Sequence, residues 1–354
     1  WTDWCRRNLV INGAMQVNQR GTIDAANGNG FPVDRFKCTV AALDQLVAAL
    51  SQDSSAPVGF ANSLEIGIST VEDALAANET FVLETRLESQ DLQQVQKGTG
   101  TAKTMSLTFY VKSSVTGNYA LQALDSDNGR SVAFLYAISV ADTWEKKSIL
   151  IPADTTGAFA DDNGIGLSLV WFLAAGTNFT SGTLQSAWAG TTNANLAAGH
   201  NVNIMANTDN NWFLTGVQLE IGSTATPFEH RSFGEELAMC QRYYQIKGQE
   251  QVHSVLGHGY NHTTDDAIIF VPLTPEMRAI PTLDTGTLTK IRVTDQDAST
   301  EAIGALGIST TDSRTGMASL NASNITSDTQ TAGEATALVC NNDAAGYIAF
   351  SAEL

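Results

Sequence analysis

Met105-Ser106-Leu107-Thr108-Phe109-Tyr110-Val111-Lys112 decides the fold class. Leu107, Phe109 and Val111 fall on one side of a pleated strand, and Thr108, Tyr110 and Lys112 on the other. That period of two suits a strand with one face buried, whereas a helix would scatter the same residues round its surface. The pattern recurs on both sides. Val132, Phe134, Tyr136, Ile138 and Val140 repeat it, as do Leu167, Leu169, Trp171 and Leu173, and earlier Leu64, Ile66 and Ile68. Further strands are expected at residues 81–88, 148–151, 201–205 and 212–220. Between them lie Thr116-Gly117-Asn118, Asp125-Ser126-Asp127-Asn128-Gly129, Asp154-Thr155-Thr156-Gly157 and Asp161-Asp162-Asn163-Gly164. Asn, Asp and Gly tolerate left-handed backbone and supply local hydrogen bonds, so these are turns. Eight or more short strands so punctuated give an all-β chain whose first domain is a jelly-roll β-sandwich. Residues 40–50, with Leu43, Val47 and Leu50 on one helical face, read either as a helix or as an edge strand with an apolar bulge.

One true helix start stands out. Ser232-Phe233-Gly234-Glu235 is a capping box, in which Ser232 accepts from the Glu235 amide and the Glu235 carboxylate reaches back to Ser232. Phe233, Leu237, Cys240 and Tyr244 then form one stripe of a three-turn helix, with two acids at its start and Arg242 and Lys247 at its end. Alternation resumes after Lys247, with Ile268, Phe270 and Pro272 against Ile269 and Val271, then residues 288–293, 337–340 and 347–350. The expected organisation is a jelly roll over residues 1–231, a short linking α-helix over 232–247, and a second, smaller β-sandwich over 248–354.

The chain has 354 residues, with 37 acids against 19 Lys and Arg and a formal charge of −18. Only 16% of residues are charged, well below the roughly one quarter of an average domain. Polarity comes instead from 39 Thr and 23 Asn. So few cations exclude a nucleic-acid partner and an anionic membrane surface, since both need clustered Lys and Arg. No apolar run approaches the ~18 residues of a spanning helix, so no membrane insertion is expected. Cys5, Cys38, Cys240 and Cys340 have no close CxxC spacing and read as isolated thiols.

Catalytic constellations are missing from the pattern, and no enzyme activity is expected. There is no HExxH, GxSxG or P-loop. His253, His258 and His262, followed by Asp265 and Asp266, have no established ligand spacing and read as a solvated loop. Adjacent acids such as Asp161 and Asp162 point to opposite faces of a strand and make no acid/base dyad. No cofactor is expected beyond a structural calcium ion, for which Asp125, Asp127, Asp161 and Asp162 supply hard oxygens. For glycans the tools are aromatic rings that stack on a sugar's apolar face. The candidates are Trp144, Trp171, Trp188 and Trp212, with Tyr110, Tyr119 and Tyr136. Trp171 and Trp212 are in phase with core positions. Trp188, in a polar stretch, and Tyr119, at a turn, are the surface candidates.

The run Thr215-Gly216-Val217-Gln218-Leu219-Glu220-Ile221-Gly222-Ser223-Thr224-Ala225-Thr226-Pro227-Phe228-Glu229-His230-Arg231-Ser232 resembles a junction found in tail-fibre and other virion proteins of bacteriophages and prophages. So do Arg7-Asn8-Leu9-Val10-Ile11-Asn12-Gly13-Ala14-Met15-Gln16, Asp34-Arg35-Phe36, and Thr143-Trp144-Glu145-Lys146-Lys147. The chain departs from that group in Phe36, where a Trp is expected, and in its longer apolar stretch at 40–50. The resemblance implies a carbohydrate-binding-like jelly roll in a homotrimeric component of the virion exterior, on the tail rather than the head. Its implied role is host attachment through cell-surface polysaccharide, as a tail fibre or receptor-binding protein. The rival readings are a capsid decoration or head-fibre protein and a polysaccharide depolymerase. The chain opens on Trp1 rather than Met, which reads as a fragment or a processed chain whose missing or upstream segment would join other virion proteins.

Overall fold

The computed structural model describes residues 7–26, 29–42, 47–249, 251–294, 300–326 and 330–354. Trp1, Cys5 and Leu43 lie outside them. The chain divides into two compact units, Trp1–Glu236 with Leu354, and Leu237–Glu353.

The first unit carries β1 Ile23–Ala26, β2 Gly30–Val33, β3 Phe36–Ala41, β4 Val47–Asp53, β5 Ser63–Ile68, β6 Thr80–Glu88 and β7 Met105–Ser113. It continues with β8 Gly117–Asp125, β9 Arg130–Ile138, β10 Glu145–Ile151, β11 Ile165–Ala175, β12 Ala189–Gly190 and β13 Asn211–Ile221. One sheet runs β1-β4-β5-β13-β7-β10 and the other β12-β9-β8-β11-β6-β3-β2, with antiparallel pairings throughout. This is a jelly-roll β-sandwich. Its core takes the inward residues of both sheets: Leu107, Phe109 and Val111 from one, Leu167, Leu169, Trp171 and Leu173 from the other, all buried. Trp171 meets Phe109 edge-on at 5.7 Å, and Phe109 meets Tyr136 edge-on at 5.2 Å. Burial contributes about 1.5–3 kcal/mol for each such large side chain, and edge-to-face contacts add about 0.5–1.5 kcal/mol.

Residues 40–41 and 47–50 are strand, so the helical reading of that stretch gives way to the extended one. Residues 201–205 form no strand. The Asn203 side chain accepts from the Met205 amide and opens a short 3-10 turn, Ile204–Ala206. Cys38, Cys240 and Cys340 are buried, and burial pushes the Cys38 thiol well above its ordinary range.

The capping box forms as expected. Ser232 Oγ accepts from the Glu235 amide at 3.3 Å, and Glu235 Oε2 accepts from the Ser232 amide at 3.0 Å. The helix Phe233–Gln241 ends earlier than its stripe suggests, and Phe233 is exposed. Tyr244 belongs instead to a strand, because Tyr244 through Gly248 find hydrogen-bonding partners in Tyr347 through Ser351. Aromatic and β-branched residues favour that choice once a partner strand exists.

The second unit is a smaller sandwich. It holds β14 Tyr244–Gly248, β15 Val255–Asn261, β16 Ala267–Pro272, β17 Thr282–Asp284 and β18 Ile291–Thr294. Then come β19 Thr300–Ala302, β20 Ala305–Ile308, β21 Met317–Ser323, β22 Ala335–Cys340 and β23 Tyr347–Ser351. A three-stranded sheet, β14-β23-β17, and a seven-stranded one, β19-β18-β22-β15-β16-β21-β20, share a core around Ile269, Leu320, Leu338 and Phe350. The outer face of the larger sheet is apolar at Tyr260, Phe270 and Met317, all exposed. Among the described residues no helix is long and apolar enough to cross a membrane.

Candidate functional site

The quoted junction builds a groove on the outer face of the six-stranded sheet. Along β13, Trp212 and Leu214 point into the core, and so do Val217 and Leu219. The parity changes between them because the register against β7 slips between Thr215 and Gln218. Gly216, at φ 63°, supplies the left-handed backbone of this bulge. Gln218 and Glu220 face outward yet are buried, because the chain that follows folds back over them. Glu220 accepts from the Thr226 amide at 2.8 Å and from its hydroxyl at 2.7 Å, while Gln218 Oε1 accepts from the Glu229 amide at 2.8 Å. Glu229 in turn accepts from the amide of Asn8 at 2.7 Å, and Arg231 lies 3.4 Å from it. These donors hold the Glu229 carboxyl below its usual range against the opposing pull of burial, the largest single effect. Asn8 closes the arrangement, donating to the Val217 carbonyl and accepting from the Leu219 amide. The N-terminal and junction segments are thus one polar clamp, and it fixes where Phe228 sits.

Phe60 arrives from the β4–β5 connection, held by the Thr215 hydroxyl donating to the Asn62 carbonyl at 2.8 Å. The resulting groove, about 570 Å³, is lined by Val58, Phe60, Thr108, Tyr110, Lys146, Gly216, Phe228 and His230 among others. Phe60 lies 5.4 Å from Tyr110, 5.0 Å from Phe228 and 5.3 Å from His230 between ring centroids. Tyr110 is flanked across the sheet by Thr215 on β13 and Lys146 on β10, with the Lys146 ammonium 5.8 Å from its ring centre. One row along the same face, the Lys112 ammonium sits 3.9 Å from the Phe213 ring centre and 5.4 Å from that of Trp144. Glu65 lies opposite Phe213 on β5, and burial, then Asp53, raises its carboxyl above the ordinary value.

No carboxylate lines the groove, so the paired acids of glycoside hydrolysis are not there. Among the described residues no three His, Cys, Asp or Glu come together to hold a metal, and that includes His253, His258, His262, Asp265 and Asp266.

Of the sequence candidates Tyr110 lines the groove, whereas Tyr119, Trp188 and the four candidate calcium ligands lie elsewhere. Tyr119 is a correction: it is fully buried, stacked on Tyr136 at 5.5 Å, with its hydroxyl donating to the Val115 carbonyl at 2.7 Å. Burial pushes its phenol up to about 12. Its turn position put it near the surface, but the strand Gly117–Asp125 begins before it and points the ring inward. Trp188 is half-buried against the core, its indole N–H donating to the Pro152 carbonyl at 2.7 Å. Asp125 is a correction as well. It is wholly buried and already holds a cation, the Lys97 ammonium at 2.6 Å. That ammonium also reaches Asp154 at 3.1 Å and the carbonyls of Thr156 and Gly157 at 2.9 and 2.7 Å. Arg130 completes the cluster with two bonds to Asp154 at 2.8 and 3.0 Å. Asp127 and Asp162 serve as turn residues, accepting from the Ala160 and Gly164 amides respectively; Asp161 is exposed beside them. Phe60, Phe228, His230 and Lys146 were not foreseen as a set. The available signal was the outward phase of Tyr110 in its strand.

No protein-family model matches the sequence, and a comparison with curated proteins returns no match. In structure the chain is similar to the enzymatically active domain of tailspike protein 4 of bacteriophage CBA120, with 10% identity and a TM-score of 0.31 over 61% of this chain. The match spans 21% of that protein's length. It is also similar to a putative sugar binding protein of Bacteroides thetaiotaomicron, at 13% identity and a TM-score of 0.34, covering 61% of this chain and 100% of the other. A third likeness is to the xylan-binding domain of Paenibacillus barcinonensis Xyn10C, at 12% identity and a TM-score of 0.30, covering 62% and 96%. Similarity at this level assigns the chain no ligand.

Proposed function

We propose that this protein is a non-enzymatic glycan-binding protein, and that a sugar ring stacks on Tyr110 beside the edge-to-face pair of Phe60 and Phe228. The observation that carries this reading is an open groove in which Phe60 lies 5.4 Å from Tyr110 and 5.0 Å from Phe228, bordered by donors and lined by no carboxylate. These rings are half-buried at a surface, where a ligand with apolar faces and hydroxyl edges matches them. The phage-like clamp from Asn8 to Arg231 supports placing the protein on a virion exterior, as a tail fibre that adheres to host polysaccharide. Self-association belongs to the same reading: the uncharged face of Tyr260, Phe270 and Met317 is where copies of a chain with net charge −18 meet with least repulsion.

The test is titration calorimetry of the purified chain against surface polysaccharides from candidate hosts, beside Tyr110→Ala. An aromatic anchor of this kind is worth about 2 kcal/mol or more, so the variant should bind at least ~30-fold more weakly. Unchanged affinity in Tyr110→Ala would remove the groove from consideration. Release of reducing ends from the polysaccharide would overturn the non-enzymatic part.

A further inference from the structure

We infer that the groove selects an acidic glycan, one whose sugar carries an anionic substituent, and that Lys146 is the residue that reads it. This rests on the glycan-binding reading of the groove and deepens it.

Cations are scarce in this chain, and several of those described are paired with acids. Arg20, Arg86, Lys97, Arg130, Lys147 and Arg231 each lie within 3.5 Å of a carboxylate. Lys146 is exposed, has no ion pair among the described residues, and stands over the ring proposed to carry the sugar. The contrast with its neighbour is direct, since Lys147 lies 2.5 Å from Glu145. The acids that surround the groove are each turned to another partner. Glu145 also accepts from the Ser139 and Val140 amides, Glu220 from Thr226, and Glu229 from Asn8. Glu65 and Asp53 lie one row away, on the side of Lys112, whose ammonium donates to Ser55 and leans on Phe213. The anionic end of a ligand therefore belongs at Lys146 and His230. The long-range repulsion of a −18 chain is screened beyond about 8 Å at physiological salt, whereas an ammonium meeting an anion at contact distance is not.

The experiment compares matched pairs: polygalacturonate, alginate, hyaluronan and polysialic acid, each beside its carboxyl-reduced counterpart, with a polyglycerol phosphate as the phosphate-bearing arm. The wild type should bind at least one acidic polymer about 5- to 10-fold more tightly than its reduced form, the preference shrinking with added salt. Lys146→Gln should bring the acidic polymer down to the affinity of the reduced one, and Lys146→Arg should keep the preference. Preference for the phosphate polymer alone would assign the anion as phosphate, with the same two variants deciding the role of Lys146. Equal binding of acidic and reduced polymers, both lost in Tyr110→Ala, would overturn this inference and leave the glycan groove standing. No binding to any polymer would overturn both.

Discussion

Replacing Lys97 by Met tests the claim that a lysine, not a metal, is the cation at the heart of the first unit. Its side chain is 2% exposed, and it neutralises Asp125, which is 0% exposed. Methionine fills a similar volume but leaves Asp125 with only the Asn128 amides as hydrogen-bond partners, while Asp154 keeps Arg130. Two backbone carbonyls, of Thr156 and Gly157, lose their donor too. Removing one partner of a buried pair typically costs about 3–5 kcal/mol, because the surviving charge stays buried without compensation. For a unit of this size each kcal/mol is about 2–4 °C, so the melting temperature should fall on the order of 10 °C by calorimetry. Lys97→Met combined with Asp125→Asn removes both charges and should recover at least half of the loss. A single variant that loses less than about 1 kcal/mol, or a double variant less stable than the single, would refute this account. Chelator should leave the wild-type melting temperature unchanged. A fall would return a calcium ion to these loops.

Three further outcomes follow from other sites. In Gly216→Ala the new methyl group would sit 2.7 Å from Phe60 Cζ and 2.9 Å from Tyr110 Cδ2, at a positive φ. The expected result is a stability loss of about 1–2 kcal/mol with glycan affinity down at least ~10-fold, while Gly67→Ala, with nothing within 4 Å, serves as the silent control. His200 accepts from the Ala120 amide, and burial lowers its pKa to about 4. Its contribution is therefore full above the unfolded value of about 6.5 and is lost as pH falls toward 4, so wild type should lose about 2.5 kcal/mol more than His200→Gln between pH 7 and 4.5 by urea unfolding; equal losses would show His200 titrating normally. In the proposed homotrimer, Phe270→Asp should shift the sedimenting species toward monomer, and an unchanged distribution would remove that face from the assembly.

Much of the fold was legible because a half-buried strand writes its burial into a period of two. Leu107, Phe109 and Val111 are core for that reason, and so are Leu167 and Trp171. The capping box was legible because its partners are three residues apart and the bonds are local. Tyr119 was misplaced because closeness to a turn says nothing about which face a ring takes. The helix end was misjudged because Tyr244 continues a helical stripe and equally suits a strand, and only β23, more than a hundred residues later, decides between them.

Sequence alone determined the all-β class, the turn positions, the helix start and the scarcity of cations. These are local or compositional properties, fixed by side-chain period, backbone preference and charge count. Tertiary structure alone decided the rest. It gave Asp125 the Lys97 ammonium, from 28 residues away. It also drew Phe60, Tyr110, Lys146 and Phe228, from four separate segments, into one groove. Such sites depend on strand order, and on a buried Gln218 and Glu220 that fold a loop back across the sheet. Neither has a period or a spacing along the chain, so neither leaves a signature that can be read there.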